Sequence, residues 1–101
     1  MKKDQCVTKS STDLIIDPEA EQDIQDILQY TLDTWGDDQV EAYWSVIWDA
    51  FQRIRVFPEM GRRRPFPNER EVVLAHHIIV YRHHRNIVTV LRILNPRRRR
   101  R

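Results

Sequence analysis

The feature that most constrains this fold is a pair of amphipathic stretches that follow one another directly between residues 18 and 57. The first begins at Asp17 and Pro18, since Asp is a favoured N-cap and Pro fits the first helical position. Apolar residues then recur every three or four positions, which predicts an amphipathic helix over 18–35. Its apolar stripe consists of Ala20, Ile24, Ile27, Leu28, Leu32 and Trp35.

The second stretch predicts another helix that returns along the first. Gly36 is suited to cap the end of the first helix, and Asp37 or Asp38 to cap the start of the second. Because only two or three residues would link the helices, they are expected to form an antiparallel hairpin. The second apolar stripe consists of Val40, Tyr43, Trp44, Ile47, Phe51, Ile54 and Phe57.

After the hairpin the hydrophobic period changes from that of helices to that of strands. A loop over 62–68 holds three arginines and two prolines, and three segments rich in Val and Ile follow it, over 70–75, 77–82 and 87–94. Arg85 and Asn86 mark a turn between the last two segments. A short apolar run over 14–16 predicts one more strand ahead of the first helix.

This order of elements predicts an α+β domain over 13–96, with an N-terminal strand, an antiparallel helical hairpin and a three-stranded antiparallel meander. Polar residues 1–12 are expected to be a flexible N-terminal arm, and the arginines over 97–101 a basic C-terminal tail. The hairpin is expected to pack on one face of the sheet.

Arg92 is unusual, since a charge inside a strand is costly unless that face is open or the charge is paired. By alternation, the residues expected to face the helices are Ile87, Leu91 and Ile93, and those expected on the far side are Val88, Val90 and Arg92. An ion pair between Arg92 and Glu69 or Glu71 is favoured over a shallow basic surface.

The net charge of +2 conceals two halves of opposite sign. Residues 1–50 carry twelve Asp and Glu against three Lys, whereas residues 51–101 carry fourteen Arg against three Glu. Arginine is the side chain suited to bidentate contact with phosphates and carboxylates. The pattern predicts a basic surface that binds a polyanion or an acidic protein.

Several classes of protein are excluded by what the sequence lacks. The apolar runs are only a few residues long, which excludes a membrane-spanning helix. Cys6 is the sole cysteine, so an internal disulfide cannot form, and a chain with two glycines carries no Gly-rich phosphate loop. We therefore expect a cytoplasmic protein that uses no cofactor and binds no membrane.

Four histidines flank one predicted strand as two adjacent pairs, His76-His77 and His83-His84. Neighbouring residues on a strand point to opposite faces, so no metal site is expected. His77 and Tyr81 share a face at a spacing of four, which makes His77 a candidate acid or base. A solvated strand end beside a packed tyrosine is the alternative explanation of this pair.

Two tryptophans of the second helix are expected to differ in role. Trp44 lies within the apolar stripe and is expected in the core. Trp48 lies at the edge of that stripe, where it could anchor a partner, since tryptophan is enriched in binding hot spots.

Several segments, taken together, resemble the RelE/ParE superfamily, the toxins of bacterial type II toxin–antitoxin systems. They occur in the order of that family and cover about residues 13–97. The segments are Asp17-Pro18-Glu19-Ala20-Glu21, Asp23-Ile24, Tyr30, Trp35-Gly36, Tyr43, Phe57-Pro58-Glu59-Met60-Gly61-Arg62, residues 77–82 and residues 90–94. The two long helices and the His-x-x-x-Tyr-Arg strand look more like ParE than RelE.

The resemblance implies a toxin that inhibits DNA gyrase by binding it, and a cognate antitoxin that neutralises the toxin. The residues that this resemblance places at or beside the target-binding surface are Arg70, His77, Tyr81, Arg82, Arg92, Asn95 and Arg97. The residues expected to contact the antitoxin are Tyr43, Trp44, Trp48 and Arg62.

Two alternatives stay open. One is a RelE-like endoribonuclease that cuts mRNA on the ribosome, with catalytic residues Arg70, His77, Arg82 and Arg92. The absence of any Tyr or His after His84 disfavours it. The other is an inactive homologue that still binds its antitoxin, because Asn95 stands where the family commonly has His and Arg98 where Asp is usual.

Overall fold

The strand, helical hairpin and meander predicted from the sequence all form in a computed structural model, which describes residues 12–96. The helices are α1 (Pro18–Trp35) and α2 (Asp37–Val56). The strands are β1 (Asp13–Ile16), β2 (Arg62–Arg63), β3 (Glu69–Val73), β4 (Ile78–His84) and β5 (Ile87–Leu94). β2 lies in the stretch that was predicted to be a loop.

The predicted arm over 1–12 and tail over 97–101 lie outside the described residues, except for Thr12. Thr12 is buried, and its N–H and hydroxyl both donate to the carbonyl of Arg55, at 3.0 and 3.1 Å. Arg55 Nε donates in return to the Thr12 carbonyl at 3.1 Å. Thr12 is therefore held against α2 and is not part of a flexible arm.

The hairpin turn is tighter than predicted, because one residue serves both helices. Asp17 caps α1 as expected, accepting from the Glu19 N–H at 3.5 Å. Gly36 ends α1 and also stands at the N-cap of α2, with φ of 95°, a value that favours glycine. Asp37 therefore lies inside the first turn of α2 and does not cap it, although its charge still suits the helix dipole.

The five strands form one sheet in the order β1-β5-β4-β3-β2. β1 is an edge strand that runs parallel to β5, and all other neighbours are antiparallel. The turn between β4 and β5 consists of Arg85 and Asn86, with φ of 53° and 64°. Two positive φ values match the two-residue turn that suits the twist of a hairpin, which confirms the predicted turn.

The predicted alternation along β5 is confirmed at Arg92 and Ile93 but wrong at Ile87, Val88 and Val90, because the strand contains a β-bulge. Val80 pairs with Arg92 while the next residue, Tyr81, pairs with Val90, so Leu91 has no partner on β4. The extra residue inverts the alternation. The β5 residues that face the helices are therefore Val88, Val90 and Ile93, whereas Ile87 is 36% exposed.

The core lies between the hairpin and one face of the sheet. Its helical members are Ala20, Ile24, Ile47, Ala50, Phe51 and Ile54, and its strand members include Ile79, Tyr81, Val88, Val90 and Ile93. Most of the helical members lie near the start of α1 and the end of α2. The end of the hairpin near Gly36 extends past the sheet, so Leu32 and Trp35, predicted on the apolar stripe, are 40% and 68% exposed.

Candidate functional site

The register of the strands distributes the arginines between the two faces of the sheet. Side chains of paired residues point to the same face, so each row of partners belongs to one face. One row contains Val90, Tyr81, Arg70 and Arg63, and it begins in the core beneath the helices. The opposite face of the sheet, which no helix covers, carries two such rows and is called the helix-free face. One row consists of Arg62, Glu71, Val80 and Arg92. The other consists of Glu69, Arg82, Thr89 and Ile15.

Arg82 lies near the centre of the helix-free face and is exposed. Its neighbours across the strands are Glu69 and Thr89. Glu69 pairs instead with Arg64, at 3.3 Å. No hydrogen bond or ion pair within residues 12–96 involves the Arg82 side chain, so its guanidinium is available to a partner molecule.

Arg92 is paired, as the sequence indicated, but its partner is on α1. Its Nε and an Nη donate to the two carboxylate oxygens of Asp23 at 2.7 and 3.1 Å, and this contact raises the pKa of Arg92. Asp23 also accepts the N–H of Ile93 at 2.9 Å. The predicted pairing with Glu69 or Glu71 is wrong, because β1 ends opposite Val90 and leaves the later edge of β5 open to α1.

Glu71 is held between two other arginines. Arg62 donates to one of its oxygens at 2.9 Å and Arg64 to the other at 3.0 Å. The hydrogen bond from Arg62 lowers the pKa of Glu71 most, and that from Arg64 lowers it further. This carboxylate therefore stays ionised at neutral pH and fixes β2 to β3.

Tyr81, which the resemblance placed at or beside the target-binding surface, lies in the core and is fully buried. Its hydroxyl donates to the Pro58 carbonyl at 2.6 Å and accepts the Gly61 N–H at 3.0 Å, while burial raises its pKa. A Cβ on Gly61 would lie 2.6 Å from the same hydroxyl, so only glycine fits there. Arg70 secures the segment further by donating to the carbonyls of Glu59 and Gly61 at 3.2 and 2.8 Å.

His77 immediately precedes β4, and its side chain lies on the helix side of the sheet, as that of Tyr81 does. The Nδ1 of His77 lies 2.6 Å from the hydroxyl of Tyr43 on α2. Burial raises the pKa of Tyr43 and lowers that of His77. Both groups are therefore neutral at neutral pH, and the hydrogen bond between them joins α2 to the turn between β3 and β4.

The tryptophans of α2 form an exposed pair. Trp44 is 36% exposed and Trp48 45% exposed, so the expected core position of Trp44 is wrong. Their ring centroids lie 5.8 Å apart, and Trp48 also meets the edge of the buried Phe51 at 6.3 Å. Packing on Phe51 holds the pair in place while one side stays accessible.

The structure therefore separates the residues that the sequence grouped as one surface. The helix-free face brings together Arg82, Arg92 and Arg62. Arg70 belongs to the opposite face, Asn95 is half-buried after β5, and Arg97 lies outside the described residues.

Residues 12–96 contain no group of three His, Cys, Asp or Glu that could hold a metal ion. Neither of the helices described is long and apolar enough to cross a membrane. The candidate site is therefore a surface of arginines and aromatic residues, which is suited to binding a protein or a polyanion.

Comparison with known proteins identifies the family of this chain. Residues 14–100 match the family model of the ParE toxin of the type II toxin–antitoxin system parDE. A solved structure from the chromosomal ParDE system of P. aeruginosa superposes with a TM-score of 0.74 at 17% identity, over 85% of this chain and 97% of the other. No curated protein matches the chain significantly by sequence. The chain belongs to the ParE toxin family of type II toxin–antitoxin systems.

Proposed function

We propose that this protein is a cytoplasmic toxin that inhibits DNA gyrase by binding to it, and that a cognate antitoxin neutralises it. The observation that carries the proposal is the helix-free face of a ParE family chain, where Arg82 is exposed and unpaired within the described residues. An exposed guanidinium on a flat sheet is suited to a carboxylate or phosphate of a large partner.

The geometry supports binding over catalysis. A nuclease of the RelE type would need an acid or base close to the arginines that stabilise the phosphate. His77 already contacts Tyr43, and Arg92 is held by Asp23. The two groups that would have to act with Arg82 are thus already engaged by other side chains.

The test is a supercoiling and DNA-cleavage assay with gyrase and purified, antitoxin-free protein. The expected result is loss of supercoiling with accumulation of cleaved DNA. Arg82→Gln should lower the inhibition, whereas Arg53→Gln, which removes an exposed arginine of α2 in a loose ion pair of 3.7 Å with Asp49, should not. Inhibition by Arg82→Gln equal to that of the unaltered protein would refute this surface.

Unaffected gyrase would leave the two other functions, an endoribonuclease or an inactive homologue. Cleaved mRNA in a translation assay would then identify an endoribonuclease. Normal growth of cells that produce folded protein without antitoxin would identify an inactive homologue.

We infer that the antitoxin covers α2 at Trp44 and Trp48 and reaches Tyr43 and Arg62. The two tryptophans are exposed yet ordered by Phe51, which is the arrangement of an anchor residue at an interface. A stable complex should bury more than about 1,200 Å² in total.

The binding test is calorimetry with the product of the neighbouring gene. Trp48→Ala should weaken the complex by about tenfold or more, since truncating a hot-spot aromatic costs on the order of 2 kcal/mol. Trp35→Ala is the matched control, because Trp35 is 68% exposed at the far end of the hairpin. Equal losses in both variants would contradict the proposed contact.

A further inference from the structure

A second basic site lies at the edge of the sheet formed by β2 and β3, away from the helix-free face. A cavity of about 230 Å³ opens there. Its lining includes the carboxylates of Glu59 and Glu69 together with Arg63, Phe66, Arg70 and His83. This volume is below the range typical of drug-sized ligands and suits one small unit of a longer molecule.

Two guanidinium groups of this pocket face one another, and although Glu59 and Glu69 also line it, neither carboxylate forms an ion pair with Arg63 or Arg70 within residues 12–96. Arg63 and Arg70 are direct partners across β2 and β3, an arrangement that is unfavourable for like charges. Arg70 donates only to backbone carbonyls, and the Arg63 side chain has no hydrogen bond or ion pair within residues 12–96. An anionic group between them would relieve the repulsion.

An exposed aromatic ring borders the same pocket. Phe66 is 52% exposed, and the Arg64 guanidinium lies over its ring, 5.6 Å from the centroid. Arg64 is itself fixed by ion pairs with Glu69 and Glu71 at 3.3 and 3.0 Å. One face of Phe66 is thus occupied by a fixed cation, and about half of the residue remains exposed to solvent.

The backbone of the loop that carries Phe66 is restricted by two prolines and a tight turn. Pro65 and Pro67 flank the phenylalanine and restrict its backbone on both sides. The Glu69 N–H donates to the Phe66 carbonyl at 3.2 Å, and Asn68 has a φ of 62°, which closes a tight turn. Little ordering entropy would therefore be lost when a ligand stacks on the ring.

We propose that this pocket binds one nucleotide of a single-stranded nucleic acid. The phosphate lies between Arg63 and Arg70, with the His83 imidazole as a further donor, and the base stacks on Phe66. Cationic groups beside a stacking ring are the combination that single-strand binding proteins use. Glu59 lines the same pocket and opposes the anion, which sets the affinity lower than the arginines alone would give.

The test uses the full chain and fluorescein-labelled hexathymidylate, with anisotropy followed as the salt concentration is raised. Arg63→Gln should weaken binding and reduce the slope of log K against log salt by about 0.7, the value for one phosphate contact on a single strand. Phe66→Leu, which keeps an apolar side chain but removes the ring, should weaken binding by about fivefold or more. Glu59→Gln should tighten it.

Arg53→Gln is the control for loss of one positive charge, because Arg53 is an exposed residue of α2. It should stay within about twofold of the unaltered chain, as expected of a surface charge outside the contact. All of these proteins share the five arginines over 97–101, so any contribution from those residues cancels in the comparison.

Three results would overturn the proposal. The first is no binding of hexathymidylate at low salt. The second is equal affinity of Arg63→Gln, Phe66→Leu and Arg53→Gln. The third is competition by polyglutamate as effective as that by unlabelled hexathymidylate, which would reduce the pocket to a patch of charge. None of these measurements contains gyrase, so the site stands or falls independently of the proposed toxin activity.

Discussion

The two edges of the sheet both carry arginines, but they use them in opposite ways. At the β5 edge, Asp23 binds Arg92 through two hydrogen bonds and also accepts the Ile93 N–H. At the β2–β3 edge, Arg63 and Arg70 face each other with no carboxylate bound to either, within the part of the chain described. The first arrangement stabilises the fold, and the second leaves charge available to a ligand.

The difference shows that the role of an arginine is decided by the position of the nearest fixed carboxylate. Asp23 can reach Arg92 because α1 crosses the end of β5 where β1 has stopped. At the other edge, the carboxylates of Glu69 and Glu71 point to the helix-free face and are taken by Arg62 and Arg64. Arg92 stabilises the fold because a fixed carboxylate binds it. Arg63 has no such partner within residues 12–96, so its guanidinium is available to a ligand.

The largest expected effect comes from removing the acidic partner at the β5 edge. Asp23→Ala should lower the free energy of unfolding by about 2–3 kcal/mol, because it leaves a charged donor and a backbone N–H without their acceptor. The measurement is urea denaturation. Asp26→Ala is the control, since Asp26 is exposed one turn away and, among residues 12–96, bonds only to Gln22; it should cost about 0.5 kcal/mol or less. Equal losses of unfolding free energy in Asp23→Ala and Asp26→Ala would show that Asp23 does not stabilise the β5 edge more than an ordinary exposed carboxylate does.

The next effect tests how far the hydroxyl of Tyr81 stabilises the β2–β3 edge in addition to the ion pairs of Glu71 with Arg62 and Arg64. Tyr81→Phe should cost about 1–3 kcal/mol, because the buried Gly61 N–H and the Pro58 carbonyl both lose their partner. The readout is again the urea midpoint. Tyr30→Phe, at a residue 66% exposed, is the control and should leave the midpoint unchanged. A stable Tyr81→Phe protein would mean that Arg70 alone secures the segment.

Much of this fold follows from sequence because its signals are local. The Asp17-Pro18 start, the two helical stripes and the Arg85-Asn86 turn depend on neighbouring residues only, and the structure confirms them. The β-bulge at Leu91 depends instead on how β4 and β5 fit together, so no alternation pattern could reveal it. That one residue explains why Val88 and Val90 face the core.

The site was harder to predict because its contacts join distant parts of the chain. Asp23 and Arg92 are 69 positions apart, and Tyr43 and His77 are 34 apart. The pocket residues Arg63, Phe66 and His83 were not singled out as site residues, since they sit in a predicted loop and at a strand end. The signal that could have found them is the pair of prolines around an exposed aromatic residue among arginines.

A third test asks whether the contact between Tyr43 and His77 makes the free energy of unfolding depend on pH. Burial lowers the pKa of His77 in the folded state below its value of about 6.5 in an unfolded chain. Below pH 6.5 the unfolded chain therefore binds more protons, so stability is lost as the pH falls from there toward the folded pKa.

The measurement compares urea midpoints at pH 7.5 and 5.5. The unaltered chain should lose stability on this shift, and His77→Gln should lose less, since it removes the titrating imidazole beside Tyr43. His84→Gln is the control at an exposed histidine and should keep the full loss. Identical pH dependence in all three proteins would show that the Tyr43 contact does not couple folding to protonation.

The smallest effect on stability is expected at Arg82, and it sharpens the comparison most. Arg82 and Arg92 are both strand arginines of the helix-free face, and the structure confirms that Arg92 is the paired one, as the sequence indicated. Arg82→Gln should change the free energy of unfolding by no more than about 0.5 kcal/mol, because its side chain has no partner within residues 12–96. Arg92→Gln should cost about 1–2 kcal/mol, because Asp23 loses a charged donor.

In the gyrase assay the order should reverse, with Arg82→Gln the weaker inhibitor at equal amounts of folded protein. Arg92→Gln could instead lose more gyrase inhibition than its unfolded fraction explains. Asp23 would then be orienting Arg92 toward a target, and the β5 edge would belong to the binding surface as well.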